Sequence, residues 1–288
     1  MKLSKTSEET TEHTAGNGDG ASRSMLPQRP MDVIGRWAPT VRVEARSPAI
    51  GRTAVDLELI IPARNEEHRI GRTLATVSAY LAGQPLSSRM VVVNNGSADR
   101  TTEVVDQMAG GPVPVVVIGC SAPGKGAAVR RGVLTSNASY VGFCDADLAT
   151  PIDVLGTVLP LLQDGVDVVV GSRHAPGGKI RVRQSLVRRI GGWAFRRSAR
   201  SVVPAVHDTQ CGFKFFRTPA ARQIFSRARV DDFAFDVEIL ALASKLDLNI
   251  FEAPVPWSDR GSSSFSSVQD GLGSFRTVLA LGRDRGGQ

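Results

Sequence analysis

The sequence predicts a three-layer α/β/α protein built on a mostly parallel sheet. Three observations carry that expectation. From Leu57 onward, short and almost wholly apolar runs alternate with amphipathic stretches, which is the order strand, helix, strand, repeated. The runs lack the polar alternation of a half-exposed strand, as expected of parallel strands covered on both faces. Most of them end in a cluster of polar residues, at the strand ends where open α/β sheets hold their ligands.

Taken in order, residues 1–54 are rich in Ser, Thr, Gly, Glu, Arg and Pro and show no apolar period, so they cannot offset the entropy of ordering and are expected to form a disordered tail. Strands are predicted at 57–61, 90–93, 113–118, 140–143 and 166–170, with helices near 66–81, 98–108, 125–135 and 151–163 between them. From Gly177 the alternation breaks down, and a basic segment leads to His207-Asp208-Thr209-Gln210-Cys211-Gly212-Phe213-Lys214. A helix over 235–246 follows, with Phe235, Ile239, Leu242 and Leu246 on one face, and then a strand over 249–257. The folded domain is therefore bounded at 55–260, and the Ser- and Gly-rich segment 261–288 is left open as to order.

Composition narrows the class. A chain of 288 residues with 42% hydrophobic and 22% charged residues is neither collagen-like, mucin-like nor wholly disordered. Cys120, Cys144 and Cys211 are odd in number and far apart, forming no CxxC pair, which favours a reducing, cytoplasmic setting. No run reaches the roughly 18 to 20 apolar residues that span a bilayer, and the start lacks a signal-peptide apolar stretch, so the expectation is a soluble or peripheral protein. A net charge of +7 suits an anionic partner without distinguishing nucleic acid, anionic lipid and phosphorylated substrate.

The strand ends hold the chemistry. The first run ends in Pro62-Ala63-Arg64-Asn65-Glu66-Glu67, the second in Asn94-Asn95-Gly96-Ser97, the fourth in Asp145-Ala146-Asp147 and the fifth in Gly171-Ser172-Arg173. Asp145 and Asp147, two apart at a strand end, share a face, and two hard oxygen donors suit Mg²⁺ or Mn²⁺ shared with phosphate oxygens better than zinc. Alone, such a pair reads more readily as two solvated turn aspartates. Asn95-Gly96-Ser97 is also a turn leading to a helix N-cap. No GxGxxG follows the first strand, and Gly124-Lys125-Gly126 lacks the P-loop frame, so dinucleotide binding and a P-loop are both excluded.

Together and in this order, Ile61-Pro62-Ala63-Arg64-Asn65-Glu66-Glu67, Asn95-Gly96-Ser97-Ala98-Asp99, Gly124-Lys125-Gly126, Asp145-Ala146-Asp147-Leu148-Ala149-Thr150-Pro151, Gly171-Ser172-Arg173 and Phe235-Asp236-Val237-Glu238 resemble the inverting family 2 glycosyltransferases of GT-A fold, over residues 55 to 258. The likeness is strongest to the dolichyl- or polyprenyl-phosphate glycosyltransferases, and Asp208 to Lys214 is similar to a stretch of the dolichyl-phosphate β-glucosyltransferases, whose donor is UDP-glucose. The resemblance implies a Rossmann-like nucleotide-binding half. In it the donor lies against Pro62, Ala63, Arg64, Glu66, Asn95, Gly124, Lys125 and Ala146, and Asp145 and Asp147 hold the cation. Two departures bear on the nucleobase. The family often has an aromatic residue where Arg64 stands, and an aspartate in the turn where this chain has Asn94-Asn95, although an Asn carbonyl still accepts the uracil N3–H.

From Ser172 to His207 there is no acidic residue, whereas Arg173, Lys179, Arg181, Arg183, Arg188, Arg189, Arg196, Arg197 and Arg200 all occur. The segment reads as a solvated face, an RNA patch, or a surface meeting anionic headgroups. Interleaved aromatics are few, so nucleic acid is not the expected partner. By resemblance, Arg173, Arg183, Ser185 and Arg188 bind an acceptor phosphate, and Asp236 with Asp147 is catalytic. The expected reaction is metal-dependent hexose transfer from a nucleoside diphosphate sugar, UDP-glucose ahead of GDP-mannose, to polyprenyl phosphate or to a soluble acceptor, with peripheral contact to an anionic membrane. Nucleotidyltransfer would want a Gly-rich loop after the first strand, which is missing.

Overall fold

The computed structural model describes residues 55–176, 179–180, 195–258, 277–278 and 280. The expected tail and most of the C-terminal segment lie outside these residues. The elements are β1 (Leu57–Ala63), α1 (Ile70–Ala82), β2 (Ser88–Asn94), α2 (Thr101–Asp106), β3 (Val115–Gly119), α3 (Lys125–Thr135), β4 (Tyr140–Cys144), a 3-10 turn (Ile152–Val154) running into α4 (Leu155–Gln163), β5 (Val168–Ser172) and β6 (Lys179–Ile180). After them come α5 (195–202), β7 (Phe213–Arg217), α6 (Thr218–Phe225), α7 (Phe235–Lys245), β8 (Ile250–Pro254) and β9 (Pro256–Trp257).

One seven-stranded sheet runs β3-β2-β1-β4-β7-β5-β8, parallel throughout except for β7, which is antiparallel to both β4 and β5. The period of two sends Leu57, Leu59, Ile61 and Ala63 into a core with α1, α2 and α4, and Ile60 into a second core with α3, α5, α6 and α7. The expected three layers are there. Val278 joins the second core from beyond residue 260. No helix among the described residues is long and apolar enough to cross a membrane.

The helix starts differ from the sequence expectation because local donors are claimed elsewhere. Helix α1 begins at Ile70 instead of 66, since the Glu66 N–H donates to Thr101 Oγ1 (2.8 Å) and the Glu67 N–H to Asp99 Oδ2 (3.0 Å). Helix α2 starts at Thr101, whose N–H is capped by Asp99 Oδ1 (3.0 Å). The single strand expected over 249–257 is split at Val255 into β8 and β9, and β9 pairs with β6 in a separate small sheet.

The larger correction is β7. Sequence reading places no strand at 213–217, yet Phe213-Lys214-Phe215-Phe216-Arg217 stands near the middle of the sheet. Phe213 and Phe215 enter the first core and Phe216 the second. Because β7 runs opposite to its neighbours, the residues that precede it stand at the same edge as those that follow β4, so Gly212 lies beside Asp145: the Asp145 N–H donates to the Gly212 carbonyl (3.2 Å).

Candidate active site

At the carboxyl edge of the sheet the loops after β1, β2, β3 and β4 surround an open cleft of about 810 Å³. Pro62, Ala63, Arg64, Glu66, Asn95, Gly124, Lys125, Asp145, Ala146 and Asp147 all line it, so every residue expected to hold the donor converges there. The far wall, Val230, Asp231, Asp232 and Phe233 before α7, with Thr277, escaped sequence reading. A signal was present for part of it: Asp232 stands three residues before the helix, and its Oδ1 accepts the Ala234 N–H (2.6 Å) as a cap would.

The loops are tied to one another. Asn65 takes the left-handed conformation (φ 56°), its N–H donates to Ser97 Oγ (3.1 Å), and its Oδ1 accepts from the Ala98 N–H (2.8 Å). The Asn95 amide donates to the Ala122 carbonyl (2.7 Å), and its Oδ1 accepts the Gly124 N–H (2.9 Å). Asn95 therefore joins the loops after β2 and β3 and holds the wall in shape, while its Oδ1, an acceptor with two lone pairs, stays in the cleft lining. Gly124 sits at φ 114°, and a side chain there would collide with the Asp231 carbonyl. That carbonyl caps α3 by accepting the Gly126 N–H (2.8 Å).

The charged groups are crowded. Lys125, only 16% exposed in its side chain, places Nζ 2.6 Å from Asp145 Oδ1 and 5.9 Å from the Phe235 ring centroid. Burial alone would weaken its hold on the proton, but Asp145 and Asp236 more than reverse this and raise its pKa above the ordinary lysine range. Asp147 accepts the Ala149 N–H (3.0 Å), and its pKa is raised by burial and then by Asp145. Glu66 is pushed up to about 7 by burial, with Asp147 and Asp145 adding and Arg69, 2.5 Å away, opposing. Between the aspartates, the Ala146 carbonyl accepts from Thr73 Oγ1 (2.5 Å), and Leu148 is held at φ 47°, a strained setting for a branched apolar residue.

No group of three or more His, Cys, Asp or Glu among the described residues forms a complete cation cage. Asp145 and Asp147 instead offer two hard oxygen donors beside a third carboxylate; burial raises Asp147 and Glu66 first, and the part added by repulsion among the carboxylates is what a divalent cation would relieve. A pair of carboxylates completed by phosphate oxygens is the usual provision for Mg²⁺ or Mn²⁺, so the residues fit such an ion. A Cβ at Gly212 would collide with the Asp145 carboxylate. Gly212→Ala is therefore expected to displace Asp145 and reduce kcat by about 10- to 100-fold with little change in melting temperature, as steady-state kinetics and circular dichroism would show.

Asp236 is not in the cleft. It is 3% exposed, behind Lys125, and its Oδ1 is paired with Lys214 Nζ, which also donates to the Cys211 carbonyl (2.8 Å). The residue expected by resemblance to be catalytic is thus buried, with its carboxylate paired to a buried lysine. Burial raises the Asp236 pKa, against the pull of Lys214 and Lys125.

Arg173 is likewise committed elsewhere. Its Nε and Nη2 donate to Asp208 Oδ2 (2.7 Å) and Oδ1 (2.8 Å), its own N–H donates to Oδ2 (2.8 Å), and the guanidinium lies 5.4 Å from the Trp257 ring centroid. The fork expected to grip an acceptor phosphate is filled by Asp208, which makes Arg173 an organiser of the loop after β5. Arg183, Ser185 and Arg188 lie outside the described residues. Burial alone would raise the Asp208 carboxyl, but Arg173 overturns this and holds it at about 2. The pair thus contributes stability that is present above the ordinary aspartate value of 3.8 and lost as pH falls through about 2. Thermal melts should show the gap between wild type and Asp208→Asn widest at pH 7 and closing below about pH 4.

Residues 58–225 match the family described as Glycosyl transferase family 2. The chain belongs to that family. Dolichyl-phosphate beta-glucosyltransferase of Drosophila melanogaster is 34% identical to this glycosyltransferase over 249 residues, covering 80% of this chain and 73% of its own. The enzyme of that name from Dictyostelium discoideum is 31% identical over 240 residues, covering 78% and 73%. Among solved structures, glucosyl-3-phosphoglycerate synthase from Mycobacterium tuberculosis in complex with Mn²⁺, UDP and phosphoglyceric acid aligns with a TM-score of 0.60 at 18% identity, over 81% of this chain and 79% of that one. The same synthase with Mg²⁺ and UDP gives 0.59 at 18%, over the same shares. These likenesses show that the glycosyltransferase has the GT-A-like fold the sequence suggested.

Proposed function

We propose that this family 2 glycosyltransferase binds UDP-glucose and a divalent cation in the cleft and transfers glucose, with inversion, to a polyprenyl phosphate. The observation that carries the reading is the convergence of all the expected donor residues, from four separate loops, on one cleft with Lys125 and two aspartates at its centre. The relatives' names, which specify dolichyl phosphate and β-glucosyl transfer, support the donor and acceptor.

In this reading Pro62 and Ala63 flank the nucleoside, and Glu66, with a carboxyl near neutrality, both accepts from and donates to ribose hydroxyls. Asp145 and Asp147 would hold Mg²⁺ or Mn²⁺, which when bound supplies charge stabilisation to the diphosphate leaving group. Lys125, kept cationic by Asp145 and Asp236, adds a fixed positive charge on the same wall. An acceptor phosphate oxygen attacks the anomeric carbon, forming the new C–O bond as the bond to UDP breaks; the electron pair leaves with UDP, and one displacement inverts the centre. A phosphate monoester, with its second pKa near 6, is already largely anionic at neutral pH and needs no strong protein base. A buried, lysine-paired Asp236 is compatible with that chemistry.

The test offers radiolabelled UDP-glucose, UDP-N-acetylglucosamine and GDP-mannose with polyprenyl phosphate or 3-phosphoglycerate, with and without EDTA. Label from UDP-glucose should enter the lipid phase and stop when EDTA is added. Label that enters only from another donor, only into the soluble acceptor, or undiminished in EDTA would overturn the proposal.

A further inference from the structure

A second cavity, of about 340 Å³, shares no described lining residue with the donor cleft. Its described lining is His174, Arg196, Arg197, Arg200 and His207, all basic. His174 comes from the loop after β5, the arginines from α5, and His207 from the turn that precedes the buried Asp208. Arg196 and Arg200 are four apart on the helix and Arg197 and Arg200 three apart, so like charges share one face and repel. The crowding is visible in their protonation: the Arg196 pKa is lowered by burial and then by Arg173, with Arg200 adding, and that of His174 by burial, with Arg173 and Arg196 adding.

Two carboxylates act on this group, and each has another partner. Asp208 is held by the Arg173 fork and backbone. Glu252 lies 2.8 Å from His207 Nδ1 and accepts the backbone N–H groups of His207 (2.9 Å) and Asp208 (3.0 Å). Among the described residues, the three arginines therefore line a half-open cavity without a dedicated counter-ion.

We infer that this pocket binds a phosphate monoester. Guanidinium forks match phosphate oxygens bidentately, and three arginines from one stretch of helix present several such donors to one cavity. An extended nucleic acid would need a long groove with stacking aromatics, which the lining lacks. Arg173 lines neither cavity, and its charge is felt by Arg196 and by Asp145 alike. Two sources of the phosphate follow, the acceptor itself or an acidic lipid headgroup beside it. Only the choice between these sources rests on the function proposed above.

The experiment is equilibrium dialysis of radiolabelled inorganic phosphate against the full chain with UDP and Mn²⁺ in excess, so that cleft binding does not contribute. Wild type should bind phosphate, and Arg196→Gln/Arg200→Gln should bind about 10- to 100-fold more weakly with UDP binding unchanged, the loss expected for two charge-assisted contacts. Arg197→Gln, at an exposed position, gives a smaller loss in the same direction and keeps the test open should the double variant fail to fold. Displacement of the label by citronellyl phosphate identifies the acceptor as the source, and displacement by phosphatidic acid vesicles identifies a headgroup. No phosphate binding by wild type, equal binding by the variants, or displacement by neither competitor would overturn the inference. Failure of glucose transfer with arginine-dependent phosphate binding intact would count against the proposed function alone.

Discussion

Asp145→Asn or Asp147→Asn is expected to reduce turnover by about a hundred- to a thousandfold while leaving the fold intact. Both side chains line the cleft at the end of β4, and asparagine keeps their size and an acceptor oxygen. What each loses is half of the charge offered to the cation, and through it the stabilisation of the departing diphosphate, worth several kcal/mol. The two variants should differ in one respect. Asp145 is the partner of Lys125 Nζ at 2.6 Å, so its replacement also frees that lysine, whereas Asp147 makes its hydrogen bond to the Ala149 N–H. Titration with Mn²⁺ should therefore show weakened cation binding in both, and UDP binding without metal retained or strengthened in Asp145→Asn alone. Turnover within a few-fold of wild type in either variant would remove the pair from the reaction.

The second large effect is on stability. Lys214 is completely buried, and its ammonium is balanced by Asp236. Asp236→Asn should destabilise the protein by about 3–5 kcal/mol, because breaking a buried pair leaves an uncompensated charge. Replacing both partners, as in Lys214→Met/Asp236→Leu, should restore most of that loss, since well-packed apolar residues often substitute for a buried pair at little net cost. Urea melts of the two single variants and the double variant give the coupling directly. Additive losses across the cycle would mean that the pair does not act as a unit.

The parallel strands and the donor wall were legible in the sequence for one reason: strand periodicity is local, and ligands collect at strand ends. Pro62 to Glu66, Asn95, Lys125 and Asp145 to Asp147 could thus be assigned to one edge before any coordinates. Strand β7 was not legible, because a lysine between phenylalanines argues against a central strand unless its partner, Asp236, is already known to lie opposite. The same non-local pair hid the true setting of Asp236, which the sequence offered only as an acidic residue at a helix start. For Asn95 and Arg173 the sequence offered no sign of their partners within the chain: Asn95 bonds to Ala122 and Gly124, and Arg173 to Asp208, all distant in sequence. The far wall at Asp231 to Phe233 comes from a loop distant in sequence, for which strand-end reasoning has no handle.

The most direct test of the donor and acceptor assignment is one ¹H and ³¹P NMR spectrum of the product formed from UDP-α-glucose, a short-chain polyprenyl phosphate and Mn²⁺. The phosphate monoester signal should be replaced by that of a phosphodiester coupled to a β-configured anomeric proton, as UDP is released in equal amount. An α-configured product, glucose attached elsewhere than to phosphorus, or release of free glucose with the monoester signal unchanged would contradict the account.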